Sequence, residues 1–211
     1  MKKEIYLFDF DGTLVDSMNV FAPVMVSILD EYGIPYGSDI IKIITPLGYE
    51  GTAKYYQSLG LDKSIDELLG LMHERAKDAY AYKIDEKEGV IDTLYKLKER
   101  GADLNVLTAS PHLALDPCLK RLGVFELFTN VWSCEDFSTT KADPEIYRMA
   151  AERIGAPVED IIFVDDNVNT VKTAKSAGMI AYGIYDDSSA ELVDEMKSVS
   201  EKYLEKFCEL I

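Results

Sequence analysis

Two aspartates, one residue apart, end an apolar segment near the start of the chain. In "IYLFDFDGTL", Asp9 and Asp11 follow what reads as a buried strand, and Gly12 comes directly after them. A carboxylate that leaves water for an apolar neighbourhood costs several kcal/mol unless a cation compensates its charge. The pattern therefore predicts that a cation binds at this position.

A second acidic pair follows another apolar segment. In "DIIFVDD", Asp165 and Asp166 end a predicted strand, as Asp9 and Asp11 do. Aspartates in turns or at helix N-termini are the ordinary alternative for either pair taken singly. Together, four carboxylates at one sheet edge favour Mg²⁺, which binds one or two carboxylates, several waters and a substrate phosphate.

Two further segments carry groups that bind phosphate. Thr108, in "LTAS", follows another predicted strand, and its hydroxyl can donate to a phosphoryl oxygen. Backbone N–H groups of a strand-to-helix turn supply further donors, and Lys141 adds a positive charge before a predicted helix. Taken singly, a threonine at a strand end or a lysine in a loop is usually a surface residue without a functional role. Together with the aspartates, they predict a site for a phosphorylated ligand.

These residues require a sheet that brings several strand ends to one edge. Segments rich in β-branched and aromatic residues predict strands at 4–10, 103–109, 130–134, 160–166 and 179–185. Helical segments separate them, including "VIDTLYKLKERG", where Gly101 is expected just past the helix. The alternation predicts an α/β fold with a doubly wound parallel sheet (Rossmann-like) that binds ligands at its carboxyl edge.

The alternation breaks between the first two predicted strands. From about residue 16 to about 88 the pattern is almost wholly helical, which is longer than a crossover requires. We predict an inserted helical cap domain at 16–88 and a core domain formed by 1–15 and 89–211. At the C-terminus, apolar residues at helical spacing in 190–211 predict a helix that packs on the core.

Composition limits partners and location. The formal charge of −16 argues against nucleic acid and anionic membranes as partners, because phosphates require an excess of lysine and arginine. Asp9 and Asp11 interrupt the N-terminal apolar run before it reaches signal-peptide length, and no other segment could span a bilayer. Three cysteines without metal-like spacing predict reduced thiols in a cytoplasmic protein.

In their order along the chain, these segments resemble the four motifs of the haloacid dehalogenase superfamily. "DFDGTL" is similar to the first motif, "LTAS" to the second, Lys141 to the third and "VDD" to the fourth. The helical insertion resembles the cap of the phosphoglycolate phosphatase and β-phosphoglucomutase branch. The resemblance covers essentially the whole sequence.

The resemblance implies a role for each motif residue. Asp9 is expected to be the nucleophile that forms an aspartyl phosphate, and Asp11 the general acid/base. Thr108, the Ala109 amide and Lys141 are expected to hold the phosphoryl group. Hydrolysis of a small phosphorylated metabolite is therefore the predicted activity.

The resemblance also implies the Mg²⁺ ligands, which are Asp9, the Asp11 carbonyl and Asp166, with Asp165 close by. The chain departs from the family pattern at two places. Ala142 follows Lys141 where proline is usual, which we expect to loosen the turn while keeping the ammonium. In the fourth motif, Asn167 and Thr170 stand where a serine and, a few residues on, a glycine are usual, and we expect them to adjust the surrounding contacts without abolishing metal binding.

Asp11 also narrows the reaction class. Dehalogenases need no proton delivered to a halide, and phosphonatases carry another residue at that position, so Asp11 favours phosphate monoesters. A phosphomutase acting on a sugar phosphate and a catalytically silent binding or regulatory protein remain the alternatives. The oligomeric state is not predicted.

The segment "IITPLGYEG" (43–51) resembles a specificity loop that sets substrate choice, or is an ordinary helix-breaking loop. Three other residues have open or minor assignments. Thr13 either places a hydroxyl beside the site or starts a helix. His112 is a weak candidate for lining the site, and His73 is expected to face solvent.

Overall fold

In the computed structural model, which describes residues 3–44 and 47–211, the chain divides into two compact units. One unit comprises Met1–Asp16 and Asp85–Ile211, and the other comprises Ser17–Ile84. The second unit begins one residue later and ends four residues earlier than the predicted cap at 16–88. Its function as a cap stays a proposal.

The larger unit is built on a parallel sheet of six strands in the order β3-β2-β1-β4-β5-β6. The strands are β1 (Ile5–Phe8), β2 (Asp103–Thr108), β3 (Asn130–Ser133), β4 (Ile161–Asp165), β5 (Ile180–Ile184) and β6 (Lys202–Leu204). Strands buried on both faces read as near-continuous apolar runs, which is why β1, β2 and β4 stand out in the sequence. The predicted α/β class with a parallel sheet is confirmed.

The central position of β1 places the chain's first acidic pair between two other strand ends. Phe8 pairs with Val106 of β2 on one side and with Val164 of β4 on the other. The Asp9 amide extends the second ladder by donating to the Val164 carbonyl at 2.9 Å. The chain segments after β1, β2 and β4 therefore leave the sheet side by side.

The smaller unit is helical. Its helices are α1 (Met18–Glu31), α2 (Ile40–Ile44), α3 (Gly48–Ser58) and α4 (Ile65–Tyr82). A buried tyrosine joins two of them, because Tyr56 of α3 donates its hydroxyl to the Met25 carbonyl of α1 at 2.9 Å. Ser64 caps α4 through reciprocal hydrogen bonds with Glu67. The helical character predicted for this part of the chain is confirmed.

The segment proposed as a specificity loop (43–51) is helical over most of its described length. Ile43 and Ile44 end α2, Gly48 begins α3, and Thr45 and Pro46 lie outside the described residues. Tyr49 stands on α3, where its ring lies 4.8 Å from that of His73. His73 is exposed, as expected.

Helices cover the sheet of the larger unit. They are α5 (Val90–Glu99), α6 (His112–Arg121), α7 (Pro144–Ile154), α8 (Val168–Ala177) and α9 (Val193–Val199). Leu7 and Phe163 point to one face, where they belong to a buried cluster with Ile146 of α7. Phe8 points to the opposite face, and its ring lies 5.4 Å from that of Phe207. None of the helices in the described ranges is long and apolar enough to cross a membrane.

The single C-terminal helix predicted for 190–211 is wrong. The helix α9 ends at Val199, Ser200 adopts an extended conformation, and Lys202–Leu204 form β6. The segment pairs with β5, so that Leu204 becomes fully buried beside Ile184. Hydrogen bonding to an open sheet edge outweighs the helical spacing of the apolar residues, a tertiary effect that periodicity does not report.

Candidate active site

Three buried carboxylates converge at the carboxyl edge of the sheet. Asp9 follows β1, Asp165 ends β4 and Asp166 follows it, and their exposed fractions are 5%, 0% and 9%. Carboxylate oxygens of all three lie within 4.8 Å of one another. Like charges at this separation in a buried place repel strongly, so the cluster requires positive charge.

Lys141 supplies part of that charge. Its Nζ donates to Asp9 Oδ1 at 2.5 Å and to Asp165 Oδ2 at 2.8 Å, and the lysine is itself buried. Such short contacts between ionised groups are strong hydrogen bonds. Lys141 thus links the ends of β1 and β4 across the sheet edge.

The backbone around Lys141 is held despite the missing proline. The Asp143 amide donates to the Thr140 carbonyl at 3.0 Å, which closes a turn around Lys141 and Ala142. Asp143 then caps α7, with Pro144 in its first turn. The buried Tyr147 hydroxyl donates to the Lys141 carbonyl at 3.0 Å. The turn that we expected Ala142 to loosen is therefore anchored at both ends.

The protonation equilibria show how crowded the cluster is. Burial raises the pKa of Asp9 to about 7, with Lys141 opposing the rise and the Asp165 and Asp11 carboxylates adding to it. Burial likewise raises the pKa of Asp166 well above its usual value, and Asp165 and Asp9 increase this effect. For Lys141, burial lowers the pKa, but the two aspartates outweigh it and hold the ammonium charged. One lysine does not compensate three carboxylates.

The turn after Asp11 brings the backbone against Asp166. Gly12 has φ of +72°, and a Cβ built there would lie 2.6 Å from Asp166 Oδ2. The Thr13 hydroxyl donates to Asp166 Oδ1 at 3.2 Å, and Thr13 is fully buried. Since α1 begins only at Met18, Thr13 is a hydroxyl beside the site and not a helix-start residue.

We expect Gly12→Ala to remove most of the activity, and Gly101→Ala is the matched control. Both glycines have positive φ, +72° and +83°, so alanine costs about 1–2 kcal/mol of backbone strain at either position. Only at Gly12 does the added Cβ also displace the Asp166 carboxylate. A displacement of this kind lowers kcat/KM by about 100-fold, whereas Gly101→Ala should stay close to wild type. Equal activities in the two variants would show that the Gly12–Asp166 approach has no catalytic importance.

Asp11 lies apart from the three-carboxylate cluster. Its Oδ2 accepts a hydrogen bond from the Ser110 hydroxyl at 2.5 Å, and both residues are partly exposed. The Ser110 amide in turn donates to Thr108 Oγ1 at 3.0 Å. Thr108 ends β2 and is buried, whereas Ala109 is exposed. The structure therefore connects Thr108 to Asp11 through Ser110.

Apart from the exposed Ala109, the predicted site residues thus fall into two sets of contacts at one sheet edge. Asp9, Lys141, Asp165 and Asp166 form the first set, and Asp11 with Thr108 the second. The two sets are joined by the three-residue segment from Asp9 to Asp11. The side chain of Asp11 is not part of the metal-compatible cluster, and its predicted contribution is the backbone carbonyl.

Sequence reasoning missed Lys87. Its Nζ donates to the Gly12 carbonyl at 2.7 Å, to the Tyr185 carbonyl at 2.6 Å and to Asp186 Oδ2 at 2.9 Å. It thereby ties the turn of the first motif to the end of β5. No local signal marks this lysine in the sequence, because its acceptors lie 75 to 99 residues away.

Of the remaining residues discussed in the sequence analysis, His112 and Asn167 form hydrogen bonds that stabilise the structure around the site. His112 bridges two carboxylates, with Nδ1 2.8 Å from Asp116 Oδ1 and Nε2 2.8 Å from Asp136 Oδ2. Burial lowers the pKa of His112, but these two hydrogen bonds outweigh it and raise the pKa overall. Asn167 caps α8 with its side chain, while its backbone N–H donates to Asp165 Oδ1 at 2.7 Å. The three cysteines are free thiols.

The cluster of Asp9, Asp165 and Asp166 fits a hard divalent cation. All of its candidate ligands are carboxylates, the donor type that Mg²⁺ and Ca²⁺ prefer. Burial, and after it repulsion from the neighbouring carboxylates, raises the pKa of both Asp9 and Asp166, so an added positive charge would favour their ionised forms. Thr13 and the Asn167 amide orient Asp166 and Asp165, as supporting hydrogen bonds do at metal sites.

The model of the haloacid dehalogenase-like hydrolase family matches residues 6–184. This range contains every predicted motif residue, from Asp9 to Asp166. The chain belongs to this family. The predicted superfamily and the predicted enzyme class, a hydrolase of the phosphatase type, are confirmed.

Individual relatives extend along most of the chain. The pyrophosphatase PpaX from Bacillus velezensis is 29% identical over 180 residues, covering 84% of this chain and 81% of the relative. A phosphoglycolate phosphatase from Pseudomonas syringae is 26% identical, and the match covers 92% of this chain and 77% of the relative. A crystal structure from Thermotoga maritima, provisionally described as a beta-phosphoglucomutase, is 26% identical with a TM-score of 0.81, covering 98% of this chain and 96% of that one. Each name refers to a phosphorylated substrate, but the substrates differ.

Proposed function

We propose that the protein is a Mg²⁺-dependent phosphatase that hydrolyses a small phosphate monoester through an aspartyl phosphate on Asp9. The contact that carries this proposal is the Lys141 ammonium between Asp9 and Asp165, inside a cluster of three carboxylates. A lysine and a divalent cation bound near a carboxylate nucleophile would together attract a phosphate dianion and stabilise the charge that develops in its transfer.

Asp9 and Asp166, with the Asp11 carbonyl, are the proposed Mg²⁺ ligands. Asp165 is better suited to a supporting role, because its Oδ2 accepts from Lys141 and its Oδ1 from the Asn167 amide. When bound, Mg²⁺ supplies charge neutralisation for the phosphoryl oxygens and for the attacking carboxylate.

The first proposed step is attack of Asp9 on phosphorus. Lys141 holds Oδ1 of Asp9, and we assign the attack to the other carboxylate oxygen. The bond from phosphorus to the leaving oxygen breaks as Asp11 gives that oxygen its proton. The Thr108 hydroxyl, the Ala109 amide and the Lys141 ammonium hold the phosphoryl oxygens.

The second proposed step is hydrolysis of the aspartyl phosphate. Asp11, now a carboxylate, accepts a proton from the attacking water. The bond from phosphorus to the Asp9 oxygen breaks, inorganic phosphate leaves, and Asp9 returns as a carboxylate. Two displacements at phosphorus replace one difficult displacement.

A phosphomutase is the second candidate function, favoured by the beta-phosphoglucomutase-like structure from Thermotoga maritima. It shares the first step but returns the phosphoryl group to a sugar hydroxyl.

By the family resemblance, we also propose that the helical unit Ser17–Ile84 determines the choice of substrate. The cytoplasmic location remains a prediction.

The proposal is tested by assaying the purified chain with Mg²⁺ against p-nitrophenyl phosphate, sugar phosphates, phosphoglycolate and pyrophosphate. We expect release of inorganic phosphate from at least one monoester. Formation of an isomeric sugar phosphate with little free phosphate would indicate the mutase instead. A chain inert toward the whole panel, yet able to bind one of its members, would support the catalytically silent alternative.

A further inference from the structure

Ser110 makes two hydrogen bonds that the motif assignments leave unexplained. Its hydroxyl donates to Asp11 Oδ2 at 2.5 Å, and its backbone amide donates to Thr108 Oγ1 at 3.0 Å. The two acceptors are the proposed general acid/base and a proposed phosphoryl ligand. Ser110 stands between them at the end of β2, two residues beyond Thr108.

A purely local role would use the hydroxyl differently. Serine just before a helix commonly caps it by accepting from a backbone amide of the first turn. Here α6 begins at His112, and its N-cap residue, Pro111, makes no side-chain capping hydrogen bond. The Ser110 hydroxyl instead reaches across 99 residues of sequence to Asp11.

We propose that Ser110 is the positioning residue of the general acid/base Asp11, an inference that rests on the proposed phosphatase function. The serine hydroxyl has one proton, and donating it to Oδ2 fixes the orientation of the Asp11 carboxyl. Oδ1 is then the oxygen that carries the proton to the leaving group and later accepts the proton of water. A carboxyl whose orientation is less firmly set spends less time in the geometry that proton transfer needs.

The second hydrogen bond sets the orientation of Thr108. The Ser110 amide occupies an acceptor position on Thr108 Oγ1, so the threonine proton points away from it. That proton is available for a phosphoryl oxygen. One residue therefore orients proton transfer through its side chain and phosphoryl binding through its backbone, and Ser110→Ala removes only the first.

The leaving group separates these two roles. Departure of an alkoxide from an alkyl phosphate needs the proton from Asp11, whereas p-nitrophenolate leaves without one. We expect Ser110→Ala to lower kcat/KM about 10–100-fold for an alkyl phosphate, a fraction of what general acid catalysis supplies. With p-nitrophenyl phosphate the loss should be less than about threefold, because kcat/KM covers only the steps through leaving-group departure. Ser110→Thr keeps the hydroxyl and should restore the alkyl phosphate activity.

A double-mutant cycle tests whether Ser110 acts through Asp11. In the Asp11→Asn background, Ser110→Ala should cause little further loss with the alkyl phosphate, because the group that it positions is gone. Equal losses for both substrates in Ser110→Ala, or losses that add fully in the Asp11→Asn background, would overturn the inference.

A crystal structure of Ser110→Ala decides the point independently of turnover. We expect the Asp11 carboxyl to leave its position or to occupy several orientations, and an unmoved carboxyl would overturn the inference. A wild-type protein that turns over no ester would refute the proposed function, while the Asp11 orientation in this crystal structure would still show whether Ser110 positions it.

Discussion

Asp9→Asn should abolish turnover while the fold and phosphate binding persist. An amide does not attack phosphorus, so we expect activity below about 1% of wild type, as for other losses of a covalent nucleophile. Lys141 keeps its partner Asp165 at 2.8 Å, and the removal of one buried negative charge lowers the repulsion within the cluster. Steady-state assay with the best substrate of the panel gives the activity, and circular dichroism confirms the fold.

The matched control for Asp9→Asn is Asp92→Asn, the same chemical change at an exposed position on α5. It should retain wild-type kcat/KM. Phosphate affinity of Asp9→Asn, measured by calorimetry, should equal or exceed that of wild type, because the substituted site carries one negative charge less. Residual turnover well above about 1% would exclude Asp9 as the nucleophile.

Removal of divalent metal should stop the reaction as completely as loss of the nucleophile. We expect EDTA to abolish activity, Mg²⁺ to restore it and Ca²⁺ to fail, because Ca²⁺ has larger and looser coordination and misplaces the carboxylate. Mg²⁺ should also stabilise the fold, by about 2.7 kcal/mol at 100 times its dissociation constant. For a chain of this size that raises Tm by about 5–10 °C.

Asp166→Asn tests whether the metal binds at this cluster, and Asp92→Asn is its control. Asp166→Asn removes a proposed ligand but keeps the shape that Thr13 and Gly12 contact. The Tm increase on adding Mg²⁺ should shrink in this variant, whereas it should persist in Asp92→Asn. Activity that survives EDTA, or a Tm that Mg²⁺ leaves unchanged in wild type, would remove the metal from the mechanism.

The strands of the sheet were predictable where burial requires a run of apolar residues. The central strands β1, β2 and β4 stand out because both of their faces are covered, so each reads as a near-continuous run of apolar residues. β6 was not predictable, because Lys202–Leu204 is short and its neighbours have helical spacing. Pairing with β5 decides its conformation, and that contact is absent from local sequence.

The site was predictable to the extent that its residues stand at strand ends. Asp9 and Asp165 were expected to meet because parallel strands end at one edge, and the Lys141 contacts with both agree with that expectation. Ser110 and Lys87 were not found, since the acceptors of their side chains are distant in sequence and neither residue has a distinctive local pattern. Contacts that support a motif from elsewhere in the chain require the folded structure.

The phosphorylated enzyme itself provides the most direct test of the proposed mechanism. Asp11→Asn with p-nitrophenyl phosphate should accumulate the intermediate, because its formation needs no acid with this leaving group whereas its hydrolysis needs the base. Borohydride reduction of an aspartyl phosphate gives homoserine, which mass spectrometry of peptides locates. We predict homoserine at position 9 and nowhere else. Its absence there under conditions where p-nitrophenol is released, or its appearance at another aspartate, would contradict the assignment of Asp9 as the nucleophile.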